Sequence, residues 1–174
     1  MDLQTIRNRI AYESNARPSV KSAAQIWLGS ISSNYPIALT LTLKQQLAYT
    51  SPKGSVRKRI SRDDCEKIAE RFIRKLNQQV YGHAARRYGK GLKYIVVVEG
   101  ERTSKNLHLH MAIGDVPSHV RLNEMEKLVS QAKLHVDHID TQHKLDIADS
   151  GWMTYITKEC GRHDTDNVLW HLSS

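Results

Sequence analysis

Two histidines, His108 and His110, are separated by a single leucine in an otherwise apolar segment of the chain. Side chains of a β-strand alternate between its two faces, so both imidazoles would point to the same side. Two neutral imidazoles side by side can share a divalent cation, whereas burying them without a partner is costly. The spacing therefore predicts two ligands of a metal site.

A carboxylate is expected beside these histidines. The apolar run Tyr94–Val98 ends in Glu99, and a hairpin connection would bring this residue next to the histidine strand. Antiparallel partners lie about 5 Å apart, which allows a shared ion. Glu101 has the same parity and is the alternative third ligand. Two nitrogens and one oxygen suit Mn²⁺ or Mg²⁺, with Mg²⁺ the poorer match for nitrogen, and leave positions open for water and a substrate oxygen.

Tyr155 and Lys158, three residues apart, form a second pair that could do chemistry. On a helix, residues at this spacing share a face. A tyrosine can attack phosphorus once its hydroxyl loses its proton, and a lysine can stabilise charge on a phosphate or on a leaving group. Taken alone, the pattern is common on helices that only pack.

Together, the two patterns resemble those of the HUH endonuclease superfamily, in particular the single-tyrosine initiators (Rep) of rolling-circle replication. The resemblance rests on His108-Leu109-His110, followed some 45 residues later by Tyr155-Ile156-Thr157-Lys158, and it covers about residues 37–159. In that family, the histidines and a carboxylate of the adjacent strand hold the metal. The resemblance thus implies Glu99, His108 and His110 as ligands, with Tyr155 as nucleophile and Lys158 as its helper.

The resemblance also implies a reaction, which is a transesterification on single-stranded DNA. Tyr155 would cut a strand, leave a free 3′-hydroxyl and form a 5′-phosphotyrosine link that a 3′-hydroxyl can later reverse. The expected substrate is single-stranded or hairpin DNA at the origin of a plasmid, phage or virus, with a host helicase as a further partner. Single-tyrosine transposases share this chemistry and are the alternative among enzymes, whereas conjugative relaxases generally use a third histidine.

The elements that must position these residues follow from hydrophobic periodicity. We expect strands at Ile37–Leu43, Tyr94–Val98, Leu107–Ile113 and Leu134–Asp140, and helices at Ser19–Leu28, from Ser61 to about Val80, at Arg121–Lys133 and at Gly151–Cys160. This order is typical of an α+β fold of split βαβ (ferredoxin-like) type, an antiparallel central sheet with helices on one face. We expect a single domain over residues 1–174, with an N-terminal extension over about residues 1–35 and no helicase domain.

Charge points to a polyanionic partner. The chain has 26 Lys+Arg against 18 Asp+Glu, a formal net charge of +8, and such an excess favours nucleic acid. Two segments predicted as loops, Ser51–Arg59 and Tyr81–Lys93, carry basic clusters expected to contact phosphates. These residues are Lys53, Arg57, Lys58, Arg59, Arg86, Arg87, Lys90 and Lys93.

Other classes of protein fit less well. A non-catalytic DNA- or RNA-binding ferredoxin-like module is the alternative to an enzyme, but such modules expose aromatics on strands, and Tyr94 is the only aromatic residue in the predicted strands. No apolar run approaches the ~20 residues of a membrane span. Two cysteines are too few for a disulfide framework. We expect a reduced intracellular protein, in the cytoplasm of a bacterial or archaeal host.

Overall fold

A four-stranded antiparallel sheet positions the residues singled out above. The computed structural model describes residues 18–52, 54–101 and 106–174. In chain order, its elements are α1 (Val20–Ser30), β1 (Ile37–Leu43), β2 (Gln46–Ser51), β3 (Gly54–Arg59), α2 (Arg62–Tyr81), α3 (His83–Tyr88), β4 (Lys93–Glu99), β5 (His108–Gly114), α4 (Leu122–Lys133), β6 (Ile139–Ile147) and α5 (Trp152–Ile156). None of the helices in these ranges is long and apolar enough to cross a membrane.

The sheet has the strand order β4–β5–β1–β6. Because β5 lies between β1 and β4, and β1 lies between β5 and β6, both strand–helix–strand units are split. The predicted α+β fold, with its antiparallel central sheet, is therefore confirmed. Glu99 pairs with His108 at one end of the β4–β5 ladder, here called the ligand end, and Lys93 pairs with Gly114 at the other, here called the distal end.

One face of the sheet is sealed by α2 and α4. Alternate residues of each strand, such as Leu39 of β1, Val96 of β4 and Met111 of β5, join one apolar cluster with both helices. The helices contribute the buried residues Cys65, Ile68, Ala69, Phe72, Leu76, Met125, Val129 and Ala132. This sealed face is the main hydrophobic core.

Helix α2 begins with the predicted cap. The Ser61 side chain accepts a hydrogen bond from the Asp64 amide, and the Asp64 carboxylate accepts one from the Ser61 amide. This capping box satisfies two amides that the first helical turn leaves unpaired. The buried stripe of α2 then follows the spacing seen in the sequence.

The opposite face corrects the expectation that helices lie on one side only. Helices α1 and α5 pack on it, where Leu28, Met153 and Ile156 meet apolar residues of β4 and β5. The half formed by β1 and β6 is more open, because Thr40 is half-buried while Lys144 and Asp146 are exposed. We call this half the open shelf. Residues 18–35 of the predicted extension thus include a helix that packs on the sheet, whereas residues 1–17 lie outside the described ranges.

Three of the predicted elements were wrong. The Ser51–Arg59 loop is instead part of the β2–β3 hairpin, whose second strand is exposed along its length and so shows no apolar alternation. The Tyr81–Lys93 loop contains α3, which ends at the left-handed Gly89. The strand predicted at Leu134–Asp140 begins only at Ile139, since turns follow α4, and it runs to Ile147.

The last helix is also shorter than predicted. The sequence favoured a helix over Gly151–Cys160, whereas α5 spans Trp152–Ile156 and turns follow it. The other predicted helices and strands are present with shifts of a few residues.

The C-terminal segment covers the outer edge of β4. The amide of Leu169 donates to the carbonyl of Val96, and the amide of Val98 donates to that of Asn167, both at 2.8 Å. Further along, the Ser174 amide donates to the carbonyl of Tyr94 at 2.9 Å. Strand β4 is therefore buried from its second residue onward, as its near-continuous apolar sequence predicts.

Candidate active site

Glu99, His108 and His110 meet near the ligand end. One ligand atom from each lies within 4.8 Å of the others. The register explains this, because Glu99 is paired with His108, and His110 lies two residues further along the same strand face. Glu101, the alternative ligand, is exposed in the turn after β4.

Both imidazoles turn Nε2 toward Glu99 because their Nδ1 atoms are engaged elsewhere. Nδ1 of His108 lies 2.9 Å from the carbonyl oxygen of Asn106, and Nδ1 of His110 lies 2.9 Å from Oγ1 of Thr40. A carbonyl oxygen can only accept, so Nδ1 of His108 carries the proton and its Nε2 presents a lone pair. A protein oxygen on the outer nitrogen is the usual support of a metal-binding histidine.

The protonation states also suit a cation. Burial by itself would raise the pKa of Glu99, but hydrogen bonds from Lys158 and His110 outweigh it and lower this pKa to about 2. Burial, with the nearby His108, lowers the pKa of His110 to about 4, against the opposing effect of Glu99. A carboxylate and a neutral imidazole are the forms that bind metals.

The distances in this group fit a bound cation. Oε2 of Glu99 lies 2.5 Å from Nε2 of His110 and 3.6 Å from Nε2 of His108. A carboxylate oxygen and an imidazole lone pair repel each other, so such a separation calls for positive charge between them. Two nitrogens and one oxygen form a donor set that divalent cations such as Mn²⁺ accept. The group can therefore hold a divalent metal.

Tyr155 lies beside this group on α5. Its ring centroid is 5.4 Å from that of His110, and the side chain is 48% exposed. Nζ of Lys158 lies 3.5 Å from the centre of the Tyr155 ring and 2.6 Å from Oε2 of Glu99. Burial by itself would lower the pKa of Lys158, but Glu99 and Tyr155 outweigh it and raise this pKa. Lys158 thus remains a cation between an accessible phenol and the acid.

The path of the chain explains how α5 reaches the site. Strand β6 ends opposite the start of β1, and the following helix returns over His110 toward the ligand end. Oε2 of Glu159 then accepts a hydrogen bond of 2.9 Å from the amide of Gly100, directly after Glu99. Nζ of Lys21, on α1, donates to the carbonyl of Lys158 at 2.5 Å. Both contacts fix the turn after α5.

Sequence reasoning missed two residues of the site. The ring of Trp152 stacks on that of Tyr155, with centroids 5.6 Å apart and an angle of 18°, and meets the His110 ring edge-on at 5.5 Å. Its signal was the spacing of three residues before Tyr155, which puts both on one helix face. The second is Thr40, whose signal was a polar residue in an apolar strand.

The predicted phosphate-binding residues divide between the two ends of the sheet. Arg57, Lys58 and Arg59 are exposed on β3, in the hairpin that leaves β1 at the ligand end. Its root is held there by Gln45, whose side chain forms hydrogen bonds with both backbone groups of Leu107 at 2.8 and 2.9 Å. Lys53 lies outside the described residues.

The second basic cluster is not brought to the site. Arg86 and Arg87 lie on α3, Lys90 follows it, and Lys93 begins β4. The six residues from Lys93 to Glu99 span about 20 Å of strand. Lys93 also forms an ion pair of 3.0 Å with Asp115. This cluster therefore belongs to the distal end.

Comparison with known proteins agrees with the resemblance seen in the sequence. Residues 36–162 match the family model of the ORF2-type replication-associated proteins, and this span contains the Glu–His–His group together with Tyr155 and Lys158. No curated protein and no solved structure matches the chain. A match over most of the chain, including the whole central sheet, is consistent with a rolling-circle replication initiator. The chain belongs to the ORF2 family of replication-associated proteins.

Proposed function

We propose that this protein initiates rolling-circle replication by nicking single-stranded DNA, with Tyr155 as the nucleophile. The observation that supports this best is the accessible Tyr155 ring, which lies against both Lys158 and the metal-ligand residue His110. Membership of a replication-associated family supports a role in initiation. The net charge of +8 suits a polyanionic substrate.

In the proposed reaction, the Tyr155 oxygen attacks the scissile phosphorus and the phenol loses its proton to solvent. The bond from phosphorus to the 3′ oxygen breaks, and this oxygen takes up a proton to become a free 3′-hydroxyl. Lys158 stabilises the negative charge that develops on the phosphate. A divalent cation held by Glu99, His108 and His110 would supply Lewis acidity toward the phosphate oxygens.

A tyrosine serves such a reaction better than an activated water. The phosphotyrosine link keeps the energy of the phosphodiester, so a later attack by a 3′-hydroxyl can rejoin the strands without ATP. Hydrolysis would lose that energy. The exposure of Tyr155 supports this role, because a second strand end must reach the same phosphorus.

The two basic clusters would contact the DNA at separate places. The β2–β3 hairpin would hold the single strand near the nick, because it leaves the sheet at the ligand end. The distal cluster, about 20 Å away along β4, would hold a flanking hairpin stem. Affinity should fall steeply as salt rises, since each phosphate contact releases counterions.

Covalent trapping tests the proposal. A labelled single-stranded oligonucleotide carrying the origin sequence, incubated with the protein and Mn²⁺, should give an adduct that survives denaturing electrophoresis. Tyr155→Phe should abolish the adduct but leave DNA binding, measured by fluorescence anisotropy, nearly unchanged. Tyr88→Phe is the matched control, because Tyr88 is 75% exposed and lies at the distal end.

Two results would contradict the proposal. An adduct that survives in Tyr155→Phe would mean that another residue is the nucleophile. DNA binding without an adduct in the unmodified protein would instead favour a non-catalytic nucleic-acid-binding module.

A further inference from the structure

A small pocket adjoins the candidate active site on the open shelf. It has a volume of about 120 Å³, and its lining includes Ala38, Thr40, Lys144, Asp146, Asp149 and Trp152. Two of these residues also contact the site, since Thr40 is bonded to His110 and Trp152 stacks on Tyr155. Whatever occupies this pocket therefore lies next to the proposed nucleophile.

Backbone pairing fixes most of the pocket. Ala38 pairs with Asp146 and Thr40 pairs with Lys144 across β1 and β6, so these four side chains share the face that carries His110. Asp149 precedes α5, and its Oδ1 accepts a hydrogen bond of 3.0 Å from the amide of Gly151. The position of the pocket is thus set by the sheet and by the start of α5.

The two acids exclude one component of DNA and favour another. Asp146 and Asp149 each accept a backbone hydrogen bond through Oδ1, which leaves Oδ2 as a further acceptor. Two carboxylates repel a phosphate, so the pocket does not suit the DNA backbone. They do suit the ring N–H and amino groups on the edge of a nucleobase.

The remaining lining residues offer donors. The indole N–H of Trp152 is buried and has no acceptor among the described residues. A buried donor without a partner is unfavourable, so an occupant that brings an acceptor would be stabilised. Lys144 and Thr40 add an ammonium and a hydroxyl group. The complementary ligand is therefore small and carries both donors and acceptors.

We propose that this pocket binds one nucleobase of the strand beside the scissile phosphate, with guanine preferred. Guanine presents a ring N–H and an amino group on the same edge, which one carboxylate can accept together, and its O6 and N7 accept hydrogen bonds. Adenine and cytosine have the amino group without the neighbouring ring N–H, and thymine has the ring N–H without the amino group. The pocket thus selects the sequence that is cut, an inference that rests on the proposed nicking function.

Binding without turnover tests the selection. The unmodified protein, in excess chelator, is titrated into labelled oligothymidylates that carry a single central guanine, inosine, adenine or cytosine. The guanine strand should bind about tenfold more tightly than the others, since a bidentate contact discriminates by at least this factor. Inosine lacks only the 2-amino group of guanine and should lose most of the gain.

Three variants connect the preference to the pocket. Asp146→Asn and Asp149→Asn, singly and together, should reduce the ratio of guanine to inosine affinity to within about twofold in at least the double variant. Asp140→Asn, the same change elsewhere on β6, should keep the ratio of the unmodified protein. Circular dichroism would establish that the variants are folded. Equal affinity for all four strands, or a ratio unchanged in the double variant, would overturn the inference.

The outcome is separable from that of the proposed function. Guanine preference that depends on Asp146 or Asp149, without a covalent adduct on any strand, would support the pocket and refute nicking. Adducts that form equally well whichever base flanks the cut would support nicking and refute the pocket.

Discussion

The two faces of the central sheet differ in what they contribute. The sealed face is apolar throughout and closed by two helices, whereas the other face carries a buried acid, two imidazoles and an open shelf. Both faces are built from the same strands, as Leu109 between His108 and His110 shows. The alternation of side chains thus separates stability from chemistry within a single strand. Substitutions on the two faces should therefore fail in different ways.

The largest expected effect is on the chemical face. Glu99→Gln removes the anionic ligand and should reduce metal-dependent cleavage about 10³-fold, since Lewis-acid stabilisation contributes several kcal/mol to such reactions. The free energy of unfolding should change by less than about 1 kcal/mol, because Lys158 is 32% exposed and can turn toward water. Single-turnover cleavage and urea denaturation measure the two quantities.

Glu101→Gln is the control for this change, because Glu101 carries the same charge two residues away and is exposed. It should leave cleavage intact. If Glu101→Gln abolished cleavage while Glu99→Gln did not, the third ligand would be Glu101.

The next effect is on the sealed face. Phe72 is fully buried under α2, so Phe72→Ala should lower the free energy of unfolding by about 3–5 kcal/mol through lost contacts and a cavity. Phe72→Leu keeps most of the apolar volume and should cost less. The fraction that remains folded in either variant should cleave at the normal rate. A slower rate per folded molecule would show that the two faces are coupled.

A smaller effect is expected where α5 meets the ligands. Lys158→Met removes a cation 2.6 Å from the Glu99 oxygen that competes with the metal. Mn²⁺ should bind about three- to tenfold more tightly by calorimetry, while cleavage should fall about 10²-fold for lack of charge stabilisation.

Lys158→Arg keeps the charge and should change metal affinity little. Weaker Mn²⁺ binding in Lys158→Met would mean that the lysine holds Glu99 in place rather than competing with the metal.

The smallest effect is at the N-terminus of α2. Ser61→Ala removes the cap and should destabilise the protein by about 1 kcal/mol at neutral pH. The Ser61 hydroxyl is also the main reason that the pKa of Asp64 is lowered from 3.8 to about 2. A lowered pKa stabilises the fold above pH 4, and this contribution is lost as pH falls through the folded value.

The difference in stability between Ser61→Ala and the unmodified protein should therefore narrow as pH falls from about 4 to about 2. Urea denaturation at several pH values measures it. A constant difference over this range would show that the cap acts without the Asp64 carboxylate.

The parts of the site that the sequence predicts are those set by local geometry. Glu99, His108 and His110 meet because strand parity and one tight connection suffice to bring them together. Tyr155 and Lys158 share a face because their spacing matches a helical turn. Strong periodicity likewise predicted α2 and α4, whose apolar stripes seal one face.

The parts that the sequence does not predict depend on burial by distant segments. The exposed strand β3 has no apolar alternation, and the edge strand β6 needs little apolar sequence because one of its faces is open. The stacking of Trp152 on Tyr155 requires α5 to lie over His110, which no local pattern specifies. The same holds for the second helical layer, since α1 shows only a short apolar stripe.

The C-terminal segment that runs along β4 has a practical consequence. Ser174 is bonded to Tyr94, so an affinity tag or fluorophore attached after it would begin far from the cleavage chemistry and leave the approach of DNA free. Removing residues 167–174 would instead leave the backbone groups of β4 unpaired. An unprotected edge of this kind promotes pairing between molecules, and such a truncated protein should aggregate.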